Sequence, residues 1–181
     1  DWDPEVCVEV VTQMAEALEY SHQQGVHHLA IQPENIIIAT PPDGALPKTP
    51  EEVKVRLAGF GKSSFLRSWS NDQLPPEVEC FSAPEQLGLL DDEPDARTDV
   101  YALGMLLYHT ITGHTPYDSY PDLIKAVRDE PPTELRTHTP SVSESFACVV
   151  MRAISKHPME RFGSAEEFRT ALASAKRGLP K

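Results

Sequence analysis

Apolar residues recur every four positions from Val6 to Leu18, which is the spacing of one face of an α-helix. The pair Asp3-Pro4 stands directly before this run, where a capping side chain and a proline at the first helical position favour a helix start. Gly25 follows the run and favours a helix end. The pattern therefore predicts a long amphipathic helix between the pair and the glycine.

Two later segments have the composition of β-strands. They are NIIIA, at 35–39, and VKVRLA, at 53–58, and both are rich in β-branched residues. The proline-rich sequence between them, at 40–52, predicts an unusually long loop. We expect a small strand pair here. The polar, serine-rich segment that follows at 60–78 shows little regular spacing of apolar residues, which predicts an extended chain on the surface.

The run DVYALGMLLYHTITG, at 99–113, is apolar around most of its circumference, which is typical of a helix buried on nearly all sides. Three more helices are indicated by a proline or capping residue ahead of DLIKAV, FACVVMRAI and FRTALA. These signals are Pro121, Ser141 with Glu144, and Ser164 with Glu167. No internal repeat or change of composition indicates a domain boundary, so residues 1–181 are interpreted as one domain.

Charge and cysteine content exclude several functions. The chain has 16 Lys+Arg against 28 Asp+Glu, a net charge of -12, and no basic run, so nucleic acid is not an expected partner. Cys7, Cys80 and Cys148 form no pair typical of zinc or redox sites, which fits a reducing compartment. No apolar run reaches the roughly 18 residues of a membrane helix, and the N-terminus lacks signal-peptide features. We expect a cytoplasmic protein without a membrane segment.

Five separated segments resemble protein kinase motifs, in the order in which kinases carry them. HLAIQPEN, at 28–35, is similar to the catalytic loop H-R-D-L-K-P-E-N, and GFG, at 59–61, stands where kinases have D-F-G. A-P-E is intact at 83–85, the sequence at 95–117 is similar to the central helix that follows it, and 155–168 resembles the arginine-bearing segment near the domain's end. The chain thus resembles the C-terminal lobe of a protein kinase, particularly the bacterial Ser/Thr kinases of eukaryotic type.

The resemblance implies a mainly α fold of the α+β family, with about six helices and a small two-stranded β element. It covers the whole chain, which would be a partial kinase domain that starts at the first large helix of that lobe. No glycine-rich loop, lysine strand or glutamate helix precedes Asp1. We therefore expect the N-terminal lobe to be absent from this chain and to be supplied by a longer parent protein, and the isolated lobe to associate or to depend on flanking sequence.

The resemblance also implies that the chemistry of a kinase site is missing. Ala30 stands at the aspartate that orients the attacking hydroxyl, and Gln32 at the lysine that stabilises the transferred phosphoryl group. Gly59 replaces the magnesium-binding aspartate, and Val78 replaces the threonine that bonds the catalytic aspartate. Asn35 remains, either as a remnant of the nucleotide site or as a brace of the loop backbone, and bracing is favoured.

The positions that match the family are architectural. The resemblance implies a buried ion pair between Glu85 and Arg161, and Asp99 is similar to the aspartate that accepts hydrogen bonds from the catalytic-loop backbone. His28 and Phe60 match positions that pack the loop against the core.

We interpret the chain as a pseudokinase module that acts in protein interaction or in the regulation of signalling. No metal site and no cofactor are expected, with weak or no binding of ATP and magnesium, and the acidic charge favours a protein partner with a basic surface. The alternative is a divergent active Ser/Thr kinase or another ATP-dependent phosphate-transfer enzyme. Its metal ligands would have to come from Asp43, Glu51 and Glu52, although their spacing does not indicate a site.

Three further interpretations concern single clusters. A metal site at His22, His27 and His28 lacks a completing ligand, and a hydrolase pair of Ser63 and His28 lacks a patterned acid. The apolar residues of SSFLRSWSN, at 63–71, could form a docking patch or could turn inward, and the sequence favours neither.

Overall fold

The structure is a computed structural model that describes residues 3–40, 44–61 and 80–179. Six α-helices occur in these ranges: α1 Pro4–Gln23, α2 Ala96–Thr112, α3 Leu123–Asp129, α4 Leu135–His138, α5 Glu144–Ala153 and α6 Ala165–Ala175. The strands β1 (Ile36–Ile38) and β2 (Val55–Leu57) form an antiparallel pair. The mainly helical fold with a small two-stranded sheet is confirmed.

Helix α1 begins as its sequence predicts. The Oδ1 atom of Asp3 accepts a hydrogen bond from the backbone N–H of Glu5 at 2.7 Å, and Pro4 occupies the first helical position. Gly25, with a φ of +74°, lies just beyond the helix end. The apolar face between Val6 and Leu18 is buried against α2 and α6.

The strand pair is shorter than predicted, because it contains only three residue pairs, from Ile36 with Leu57 to Ile38 with Val55. The 3₁₀ turn Pro33–Asn35 includes one residue that the sequence assigns to the first strand, and the turn Pro50–Glu52 lies in the predicted loop. Helix α1 holds the second strand through the side-chain amide of Gln13, which donates to the carbonyl of Val53 at 2.9 Å and accepts from the N–H of Val55 at 3.0 Å. The pair is thereby fixed against the helical body.

Helix α2 forms the centre of the fold, as its apolar sequence predicts. Every residue from Thr98 to Tyr108 is buried. The helix approaches α5 closely at Gly104, where an added Cβ would lie 2.7 Å from the Cβ of Ala153 and 2.8 Å from a methyl carbon of Ile154. The helix starts at Ala96, earlier than predicted, because Asp95 and Thr98 form a capping box.

The capping prediction for α5 was wrong. The cap is Ser143, whose hydroxyl accepts from the N–H of Phe146 at 3.2 Å, and not Ser141. Because a cap accepts from the second or third helical residue, the serine immediately before Glu144 is the one with suitable geometry. Ser164 caps α6 as predicted, and the four-residue helix α4 was not predicted.

A second, smaller apolar cluster lies beside the main core. Leu87, Tyr117, Ala126 and Val127 are buried in it, and it joins α3 to the segment that follows the A-P-E motif. Within the residues that the structure describes, no helix has the length and apolar character needed to cross a membrane.

Candidate functional site

The loop at 28–35 is anchored to α2 by one buried carboxylate. The Oδ2 atom of Asp99 accepts hydrogen bonds from the N–H of His28 and from Nε2 of His22, both at 2.8 Å. Its Oδ1 atom accepts from the N–H of Leu29 at 2.7 Å. Leu29 has a φ of +56°, and left-handed backbone costs a side-chain-bearing residue roughly 1–2 kcal/mol. The Asp99 carboxylate therefore holds the loop in a conformation that the chain alone disfavours.

His28 fills the interior behind this loop. Its Nδ1 atom lies 3.3 Å from the N–H of Ala30, and its Nε2 atom lies 2.9 Å from the carbonyl oxygen of Ala58. Because a backbone N–H can only donate and a carbonyl can only accept, the ring carries its proton on Nε2. His28 therefore joins the loop to the end of β2.

Phe60 lies on the outer side of the His28 ring. The two rings meet edge to face with centroids 4.4 Å apart, but Phe60 remains 43% exposed. The expectation that Phe60 packs the loop onto the core holds only for its contact with His28, because the histidine already occupies the interior position.

The Asn35 amide closes the space next to Gly59. Asn35 is 1% exposed and donates from Nδ2 to the carbonyl of Ala30 at 2.7 Å. A Cβ at Gly59 would lie only 2.8 Å from both Cγ and Oδ1 of Asn35, a separation that real contacts do not allow. Asn35 thus braces the loop backbone, and its position depends on the residue at 59 having no side chain.

The degenerate motif positions Ala30, Gln32 and Gly59 carry no ionisable group. Ala30 is buried, Gln32 is partly exposed on extended backbone, and Gly59 has a φ of +92°. Where kinases place a base, a cation and a metal ligand, these three positions offer a methyl group, a neutral amide and a hydrogen atom. Val78, the fourth degenerate position, lies outside the described residues.

Of the three alternative metal ligands, the structure describes only Glu51 and Glu52. In the described ranges no group of three or more His, Cys, Asp or Glu side chains could hold a metal ion. His22 bonds Asp99 and contacts His27 edge to face, with ring centroids 5.4 Å apart. Glu51 and Glu52 are exposed in the turn before β2. Asp43, Ser63 and the apolar residues at 65–69 lie outside the described residues.

Glu85 and Arg161 form a fully buried, bidentate ion pair. The guanidinium donates to Oε1 at 2.6 Å and to Oε2 at 2.8 Å, and both side chains are 0% exposed. Its other N–H groups reach the carbonyls of Ser155, Arg97 and Lys156, so all five donors of the guanidinium are used. The pair therefore fastens the A-P-E segment to the loop before α6.

The carboxylate of this pair stays charged despite its burial. Burial by itself raises the pKa of Glu85, but the hydrogen bonds and charge of Arg161, with a 2.7 Å bond from the hydroxyl of Thr98, outweigh it and lower the pKa below the usual range. The guanidinium also lies over the ring of Tyr101, 4.8 Å from its centroid.

Gln86 is a site residue that the sequence did not reveal. Its Oε1 atom accepts from the N–H of Ala83 at 3.1 Å, and its Nε2 atom donates to the carbonyl of Leu29 at 2.8 Å. This amide ties the A-P-E segment to the loop at 28–35. Because the Gln86 amide and the Leu29 carbonyl are both uncharged, the bridge is neutral. No local pattern marks such a long-range contact.

Comparison with known proteins gives a consistent result. The family model described as "Protein kinase domain" matches residues 2–172. The Ser/Thr protein kinase PknJ of Mycobacterium tuberculosis is 32% identical over 174 residues, covering 93% of this chain and 28% of PknJ. PknB of Mycobacterium leprae is 31% identical over 182 residues, covering 98% of this chain and 27% of PknB.

A solved structure supports the same relationship. The PknI kinase domain of Mycobacterium tuberculosis superposes with a TM-score of 0.65 at 28% identity, covering 96% of this chain and 56% of that one. The chain spans little more than a quarter of the length of the curated relatives it matches.

Proposed function

The chain belongs to the protein kinase family, and from that premise we propose that it is a catalytically inactive member, a pseudokinase, that acts through protein interaction or the regulation of signalling. The observation that carries this proposal is the close approach of the Asn35 amide to Gly59, beside a loop that lacks its base and its cation. The contacts that hold the loop and the A-P-E segment in place, made by Asp99 and by the Glu85–Arg161 pair, are present.

The loss of the base and the cation removes large contributions to rate. A positioned general base typically contributes about 10²–10⁴-fold, and the methyl group of Ala30 can neither accept nor orient a proton. The Gln32 amide can donate a hydrogen bond, but it has no charge to offset the charge that develops on a transferred phosphoryl group.

The residues present do not fit the magnesium and ATP that the family implies. A magnesium site uses carboxylate oxygens at octahedral positions, whereas Gly59 has no side chain and Asn35 contributes only one neutral amide oxygen, since its Nδ2 atom is the donor to the carbonyl of Ala30. An aspartate at 59 would require Asn35 to move. We therefore propose that the chain uses neither magnesium nor ATP as a cofactor.

The retained contacts support a role based on shape. The Asp99 carboxylate, the Glu85–Arg161 pair and the Gln86 bridge fix the loop and the A-P-E segment against α2. Such preorganised surfaces bind partners at a low cost in conformational entropy. The net charge of -12 favours a protein partner with a basic face.

A thermal-shift titration tests the proposed absence of nucleotide binding. The natural full-length protein that contains these residues is heated with and without ATP, in the presence of magnesium or manganese. A site with a Kd of about 10 µM would stabilise the protein by about 2.7 kcal/mol at about 1 mM ATP. We expect no metal-dependent shift. A metal-dependent shift that disappears in the Asn35→Ala variant would contradict the proposal.

A further inference from the structure

The most exposed large apolar side chain in the described ranges belongs to Met159, in the 3₁₀ turn Pro158–Glu160. This residue is 81% exposed, whereas Met14 and Met105 are 1% and 2% exposed. Met151, the fourth and last methionine of the chain, is partly buried on α5 and packs against the main core. The thioether of Met159 is therefore the one that a dissolved oxidant reaches most easily.

The sulfur of Met159 contacts a cation that is already held in place. The Nη1 atom of Arg97, at the start of α2, donates to Sδ of Met159 at 2.8 Å. Asp95 fixes the same guanidinium, because its Oδ1 atom accepts from Nε at 3.1 Å and its Oδ2 atom accepts from Nη2 at 2.7 Å. A thioether sulfur is only a weak hydrogen-bond acceptor. The guanidinium is therefore positioned to bind a stronger acceptor on the same side chain.

Oxidation of the sulfur supplies that stronger acceptor. A sulfur lone pair attacks the terminal oxygen of a hydroperoxide, so that an S–O bond forms, the O–O bond breaks and the proton passes to the departing oxygen. The sulfur loses two electrons, and the hydroperoxide is reduced to an alcohol, or to water if it is hydrogen peroxide. The contact with Arg97 uses one lone pair of the sulfur, and the exposure of Met159 leaves the other open to attack. The sulfoxide oxygen is polar and accepts a hydrogen bond from a cation well.

We propose that Met159 is a redox modification site, at which the sulfoxide formed by a hydroperoxide accepts a hydrogen bond from Arg97 and holds the turn Pro158–Glu160 more firmly against α2. A methionine sulfoxide reductase reverses the change, because a dithiol supplies two electrons and two protons and the oxygen leaves as water. The turn directly precedes Arg161, whose Nη1 atom also donates to the carbonyl of Arg97 at 3.2 Å. The inference goes beyond the proposed function, since neither Met159 nor Arg97 belongs to the loop at 28–35.

Peptide mapping tests the selectivity of the oxidation. The natural full-length protein is treated with hydrogen peroxide for increasing times, and mass spectrometry measures the sulfoxide at each methionine. Met159 should react at least about 10-fold faster than Met14 and Met105, because oxidation follows exposure. Met151 should be intermediate. Oxidation of Met151 as fast as that of Met159 would contradict the site.

Hydrogen exchange tests the new bond to Arg97. The N–H groups of Glu160 and Arg161 donate to carbonyls of the turn at 3.0 and 3.2 Å. Their exchange should become about 3-fold slower after oxidation, which is the size expected of one net hydrogen bond. Arg97→Ala keeps the backbone but removes the donor, so oxidation should no longer slow the exchange. Arg128→Ala is the matched control, because it removes an equally charged, exposed arginine from α3 and should leave the response unchanged.

A second pair of variants tests the bond without an oxidant and without changing Arg97. Met159→Gln places a neutral oxygen acceptor at the end of a side chain of similar length, and it should slow exchange in the turn relative to Met159→Leu. After oxidation of the natural protein, treatment with a methionine sulfoxide reductase and dithiothreitol should restore the original exchange rate. Faster exchange after oxidation, equal slowing in Arg97→Ala, or equal rates in the two Met159 variants would overturn the inference. None of these results bears on phosphoryl transfer, which has its own assay.

Discussion

Substitution of Gly59 by alanine probes the geometry on which the proposed inactivity depends. Alanine at a φ of +92° meets two costs. Left-handed backbone disfavours the Cβ by roughly 1–2 kcal/mol. In addition, a Cβ placed 2.8 Å from Asn35 must displace the amide that donates to the carbonyl of Ala30 at 2.7 Å.

The second cost follows from the burial of Asn35. Loss of a partner for a buried polar group costs about 1–3 kcal/mol. The free energy of unfolding of Gly59→Ala should therefore fall by about 2–5 kcal/mol. Gly25→Ala is the matched control, because Gly25 also has a positive φ, of +74°, but an added Cβ there meets nothing within 4 Å. The control should lose only the backbone cost of roughly 1–2 kcal/mol.

Equilibrium unfolding in urea, followed by circular dichroism, measures both variants. Unchanged slopes against denaturant would show that the two differ in stability alone. If Gly59→Ala lost no more stability than Gly25→Ala, Asn35 would not be fixed against Gly59. The space could then accept an aspartate, and the structural reason for the missing metal site would be refuted.

Three further predictions concern the contacts that hold the scaffold. Arg161→Met should lower the free energy of unfolding by about 3–5 kcal/mol, because it leaves the Glu85 carboxylate buried without its partner. Thermal or urea unfolding measures this loss. A loss below about 1 kcal/mol, which is typical of an exposed pair, would contradict the prediction. Folding lowers the pKa of Glu85 from its usual value of 4.5. The ionised carboxylate therefore contributes fully to stability above pH 4.5, and this contribution is lost as the pH falls through the pKa of the folded state. A free energy of unfolding that stayed constant over this acid range would contradict the prediction. Gln86→Ala should speed hydrogen exchange at the N–H of Ala83, and unchanged exchange would show that the amide bridge is not maintained in solution.

The helices could be predicted from the sequence where burial sets a clear period. The run around α2 is apolar on all sides, and Asp3 and Ser164 are caps that need only their own neighbours. The cap of α5 was misassigned to Ser141 because two serines precede the helix and only the geometry distinguishes them. Helix α4 has four residues, too few to show a period.

In the candidate site, the sequence predicted the residues that belong to motifs but not the contacts between separate segments. Asp99, Glu85 and Arg161 were predicted as structural residues because each occupies a motif position at which kinases carry the same type of residue. The Gln86 bridge and the approach of Asn35 to Gly59 depend on how separate segments meet in space. No local pattern records such meetings, so they required the structure.

The central claim is tested most directly by an assay of phosphoryl transfer. The natural full-length protein is incubated with radiolabelled ATP and with magnesium or manganese, alone and with a general protein substrate, and compared with its Asn35→Ala variant. The account predicts no incorporation above that of the variant. Metal-dependent incorporation in the natural protein that is abolished by Asn35→Ala would contradict it.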